Sequence, residues 1–61
     1  LLDEYIVMNG EKEISVKEYE VKNKKEKRYI AEFEDKGIQY QLKGIMEKDE
    51  FEKILKNLFF V

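Results

Sequence analysis

The 61-residue chain has no cysteine, no histidine and no proline. Without cysteine, neither a disulfide nor a thiolate metal site can reinforce it. Without histidine, the usual zinc ligands, proton shuttles and catalytic triads are out of reach, and clustered carboxylates remain as the metal-holding chemistry. No apolar run approaches the ~18 residues of a membrane helix, so direct membrane insertion by this segment is not expected. Nor does one charge dominate: 12 basic residues stand against 14 acidic ones, a net charge of -2. A nucleic-acid binder normally shows a basic face, so no nucleic-acid partner is expected.

What is present is periodic. Frequent aromatic and branched residues argue against disorder. A domain of this length, spanning 1–61, buries only roughly 60% of its unfolded surface and is marginally stable. The chain opens Leu1-Leu2-Asp3-Glu4 and not on Met, which reads as the C-terminal fragment of a longer protein. Any signal or anchor would lie upstream, so these residues do not fix the compartment.

The segment from Lys27 to Leu58 organises the rest. Tyr29, Ala31 and Phe33 share one face of a strand, and Ile38, Tyr40 and Leu42 one face of the next, because strand side chains alternate. The turn between them is Glu34-Asp35-Lys36-Gly37, with Gly37 suited to a left-handed position. Gly44 is expected to break the second strand, with Ile45-Met46 leading into a helix. There Phe51, Ile54, Leu55, Leu58 and Phe59 form an apolar stripe, of which Phe51, Ile54, Leu55 and Leu58 are expected to be buried against Tyr29, Phe33, Tyr40 and Leu42. Met46 suits a hydrophobic staple, and Asp49 with Glu52 a capping box starting there or nearer Glu47. Glu52–Lys56 and Asp49–Lys53 are i, i+4 pairs in the favourable order.

Upstream, Tyr5-Ile6-Val7-Met8 ends at Asn9-Gly10, a strong two-residue hairpin signal. The next strand, about Glu13 to Lys22, changes phase: Ile14 and Val16 fall on one face, Tyr19 and Val21 on the other. A β-bulge near Lys17-Glu18 explains this, as does a twisted strand covered on both faces. Asn23 to Glu26 is a solvated loop.

The carboxylates Glu32, Glu34 and Asp35 read as a solvated sheet face rather than an acid–base pair, which needs unequal environments in a cleft. Neither they nor Glu47-Lys48-Asp49-Glu50 has the wrapped spacing of a calcium loop. No catalytic, metal or cofactor-binding residue is assigned. Most aromatics belong to the core. Ile30, Tyr19 and Phe60 are left as a candidate interaction surface, either packing against the missing part of the protein or binding a partner.

Asn9-Gly10, Gly37, Tyr40-Gln41-Leu42, Gly44 and the run Lys48 to Leu58 together resemble the domain of unknown function 4367, over about Tyr5 to Leu58. That family lies near the C-terminal end of extracytoplasmic bacterial proteins. Many have a membrane anchor or lipoprotein signal, and some look like anti-sigma-factor proteins. The chain departs from the family in having Glu47 where many members have a Ser-like cap. The resemblance implies an extracytoplasmic, membrane-anchored setting and carries over no catalytic residue.

The expected fold is α+β: a twisted antiparallel sheet of about four strands in meander order, with the C-terminal helix on one face, since the connections are too short for parallel crossovers. The expected function is a non-catalytic interaction or sensory module whose partner is the upstream part of the same protein or another protein, with self-association a further possibility. The alternative is a carrier domain for a lipid or lipoprotein-like apolar ligand.

Overall fold

Three tight chain reversals set the architecture. The computed structural model describes residues 1–60, which form β1 (Asp3–Asn9), β2 (Lys12–Glu20), β3 (Lys27–Asp35), β4 (Ile38–Met46) and α1 (Lys48–Lys56). The first loop is Gly10-Glu11, with Gly10 at φ +61°, the type II′ pattern in which glycine takes the first central position. Asn9 is therefore the last residue of β1, not a loop residue as the Asn-Gly signal suggested. The third loop is Lys36-Gly37, both left-handed at φ 53° and 80°, the type I′ pattern. Between β2 and β3 the left-handed residue is Asn23, and the Lys24 N–H donates to the Val21 carbonyl at 3.2 Å. The result is an open antiparallel sheet in the order β1-β2-β3-β4 with α1 on one face, the expected α+β meander.

The registers run without a bulge. β2 faces β1 from Asn9↔Lys12 to Asp3↔Glu18, and β3 from Ser15↔Glu32 to Glu20↔Lys27. The phase change in β2 has another cause: Glu18 takes the inward position after Ile14 and Val16, where it accepts a 2.8 Å hydrogen bond from the Tyr29 hydroxyl. Tyr19 then faces outward by alternation.

Gly44 does not end β4, which continues to Met46. It faces inward opposite Tyr29, and a Cβ there would lie 2.6 Å from Met46 Cε and 3.8 Å from the Phe51 ring. Its role is close approach. The helix starts two residues after Met46, at Lys48, with Glu47 as N-cap, no side-chain cap bond, and the Phe51 N–H on the Glu47 carbonyl at 3.2 Å. Met46 and Phe51 thus occupy the two staple positions. Glu52–Lys56 closes at 3.9 Å, whereas Asp49–Lys53 does not.

The core comprises Val7, Ile14, Val16, Tyr29, Ala31, Phe51 and Leu55, with Tyr5, Phe33, Leu42, Met46 and Leu58 packed around it. Tyr29 stacks on Phe51, centroids 5.1 Å apart. Two expected core residues fall outside. Ile54 is 45% exposed, because it lies about 100° around the helix from Leu55, at the margin of the buried stripe. Tyr40 is exposed because β4 is an edge strand and α1 rests most heavily on β1.

Candidate functional site: the open sheet face

The face turned away from α1 is built by alternation. Across β2, β3 and β4 it presents Tyr19, Arg28 and Ile45 in one row and Lys17, Ile30 and Lys43 in the next. Ile6 and Met8 of β1 lie on the same face, both exposed. Arg28, Ile30, Lys43, Gly44 and Ile45 line a shallow hollow of about 380 Å³. Toward the opposite end the rows change character, to Ser15, Glu32 and Gln41 and then Glu13, Glu34 and Gln39. One half of the face is cationic and apolar, the other acidic.

Of the three candidate residues, Tyr19 and Ile30 come together here, both half-buried. Phe60 does not join them. It lies on the helix side, edge-on to Phe33 with centroids 5.3 Å apart, and Phe33 in turn stacks on Tyr40. Lys12 Nζ is 5.4 Å from the Phe60 centroid and 3.0 Å from Asp35 Oδ1. Phe33, Asp35, Tyr40, Leu58, Phe59 and Phe60 border a cleft of about 210 Å³, and Phe59 is 95% exposed.

Sequence reading missed Ile6, Met8 and Ile45 as members of the open face. The signal was available: Ile6 alternates with Tyr5 and Val7, and Ile45 stays out of phase with Leu42 once β4 continues past Gly44. Also missed was Asn9, whose Nδ2 donates to the carbonyls of Leu55 at 2.7 Å and Leu58 at 3.0 Å. Asn57 serves an earlier carbonyl, its Nδ2 donating to Lys53 O at 2.7 Å. The first hairpin thus helps to satisfy the end of the helix and the segment after it, since the last carbonyls of a helix have no partner within it.

Two tyrosines sit on the helix side near Glu18. Burial and the hydrogen bond to Glu18 raise the pKa of Tyr29. Tyr5 is pushed up to about 12, first by burial and then by the charges of Glu52, Glu18 and Asp3. Its buried hydroxyl has no hydrogen-bond partner among the described residues, while the Lys48 ammonium lies 4.6 Å from its ring centroid. Among the described residues, no three carboxylates converge as a metal site would require. Glu32 and Glu34 are exposed on the open face, and Gln39 Nε2 donates to Glu34 at 3.3 Å.

The chain belongs to the family described as domain of unknown function (DUF4367), which matches residues 4–58. No curated protein and no solved structure matches it. No helix among the described residues is long and apolar enough to cross a membrane.

Proposed function

We propose that the chain is a non-catalytic interaction or sensory module of an extracytoplasmic, membrane-anchored bacterial protein. Its open sheet face docks onto the upstream part of that protein or onto a protein partner. The observation that carries this reading is the patch of Tyr19, Ile30 and Ile45 set among Lys17, Arg28 and Lys43 and left uncovered by α1. Apolar side chains rimmed by charge mark interaction surfaces. The extracytoplasmic setting rests on the family resemblance.

A photo-crosslinking residue placed at Ile30 or Ile45 of the full-length protein in its cell tests this. Products at these positions, and not at the solvent side of the helix at Lys53, support docking; equal yields at all three overturn it. Protease accessibility in spheroplasts tests the compartment.

The cleft at Phe33, Tyr40, Leu58, Phe59 and Phe60 favours the carrier reading, since it is apolar and aromatic. Its volume of about 210 Å³ falls below the roughly 300 Å³ at which ligand pockets begin. Titration with a fluorescent fatty acid separates the two: a module gives no saturable signal, a carrier a stoichiometric one.

A further inference from the structure

We infer that the chain forms a symmetric dimer by antiparallel pairing of β4 with the β4 of a second copy, in a register centred on Leu42. The two edges of the sheet differ. β1 carries Asp3 and Glu4, lies under the part of the sheet on which α1 rests most, and has Tyr5 covered by Lys48 and Asn9 tied to the helix end. Charge and a covering helix are ways in which proteins protect an edge. β4 has neither. It is nine residues long, runs without a bulge, and has Lys43 as its one charge. Ile38, Tyr40 and Ile45 are exposed along it. Among the described residues, no backbone hydrogen bond from a loop or the C-terminal segment reaches its outer side.

Leu42 is the middle residue of Ile38–Met46, so a two-fold axis beside it pairs the whole strand. On the helix side Ile38 then faces the partner's Met46, and Tyr40 faces the partner's Gly44. Within one copy Gly44 already sits opposite an aromatic ring, that of Tyr29. On the open side Gln41 faces the partner's Lys43, so the strand meets itself with no like-charge pair.

The wider face supplies the charge complementarity. A two-fold axis reverses strand direction and sets the cationic half of one copy, Lys17, Arg28 and Lys43, beside the acidic half of the other. Lys43 faces the partner's Gln41, and the next residue in that row is the partner's Glu32. Pairing β1 against a neighbour's β4 would instead keep like ends side by side and grow without closing.

Light scattering and sedimentation over a concentration series give the first test, with a dimer that saturates as the expected result. A strict monomer at every concentration, or growth beyond dimer, overturns the inference. The exposed Gln41 gives the second. Gln41→Lys places a cation against Lys43 across the axis, twice, and is expected to weaken the dimer roughly three- to tenfold; Gln41→Glu should strengthen it by a similar factor. Within one copy Gln41 faces Glu32, so folding stability moves in the opposite order, and a merely structural effect would give the reverse ranking. Equal dissociation constants for both variants overturn the register. Because the chain has no cysteine, mixing Gln41→Cys with Lys43→Cys chains should give a covalent heterodimer faster than either variant alone. Ile30→Lys, which alters the open face and not the β4 edge, should leave the dimer in place, so docking through that face and pairing through β4 fail separately.

Discussion

Two neighbours on β1 show how unlike the two faces of the sheet are. Val7 is 6% exposed and Ile6 is 56% exposed, although both are branched aliphatic residues in the same strand. The difference comes from the second layer: α1 and the segment after it cover Val7, Ile14, Val16, Tyr29 and Ala31, while Ile6, Met8 and Ile45 face outward uncovered. Where an apolar residue sits in this chain is therefore a matter of phase relative to the helix, and one face is committed to stability while the other remains open for contact.

The largest expected break in that comparison is Leu55→Ala. Leu55 is fully buried on the side of α1 facing the sheet, and truncation should cost about 2–5 kcal/mol in a urea melt. In a domain with so small a core, that unfolds much of the population. A midpoint close to the parent's would mean that α1 does not hold the inner face.

Next comes the tie between hairpin and helix. Asn9→Ala removes the two side-chain hydrogen bonds to the Leu55 and Leu58 carbonyls, and should cost about 1–2 kcal/mol. Asn9→Asp should cost more, because a carboxylate would face two carbonyl oxygens. If both variants match the parent, the first hairpin does not anchor the helix end.

How legible these features were from the sequence depended on their range. The strands, the meander order and the Phe51/Leu55 stripe follow from local periodicity, so they could be read in advance. The Gly44 break failed because a glycine in a strand signals either an end or a close approach, and the choice depends on Phe51 of α1 and the Met46 side chain folding over it. The bulge near Lys17-Glu18 failed for a related reason: an inward glutamate looks like a phase slip until its partner, Tyr29, is known. Sequence alone groups Phe60 with Tyr19 and Ile30, because apolar residues left over from the core have no face until the tail is placed. Asn9 carried an evident turn signal, and its second role depends on a helix end 46 residues away in sequence.

A smaller contrast lies within the inner face, between its two tyrosines. Tyr29→Phe removes the hydrogen bond to Glu18 and should lower stability by about 0.5–1.5 kcal/mol. Tyr5→Phe removes a buried hydroxyl that has no partner among the described residues, and should raise stability by about 0.5–1 kcal/mol. The pH dependence follows from the same burial. The folded protein holds the Tyr5 phenol neutral to about 12, whereas an unfolded tyrosine ionises near ~10. Stability from this group is complete below about 10 and is lost as the pH rises through about 12, because the unfolded chain releases its proton first. Melts at pH 9 and pH 11 should show a loss in the parent that is smaller in Tyr5→Phe. Equal losses would locate the alkaline sensitivity elsewhere.

The smallest effect belongs to the open face. Ile6→Thr keeps a β-branched side chain that suits a strand and removes apolar surface that is already more than half in water. Its cost should stay within about 0.5 kcal/mol, the usual range for surface changes. Val7→Thr, one residue along, places a hydroxyl against Ile14 and the apolar core, and should cost about 1–3 kcal/mol. The two substitutions share one strand, one turn and nearly one chemistry, so the gap between their urea midpoints measures what the helix contributes to a face. An Ile6→Thr loss as large as that of Val7→Thr would mean that the outer face is covered in solution, and dilution distinguishes the cause: a cover supplied by a second copy weakens as the protein concentration falls, while one supplied by this chain does not.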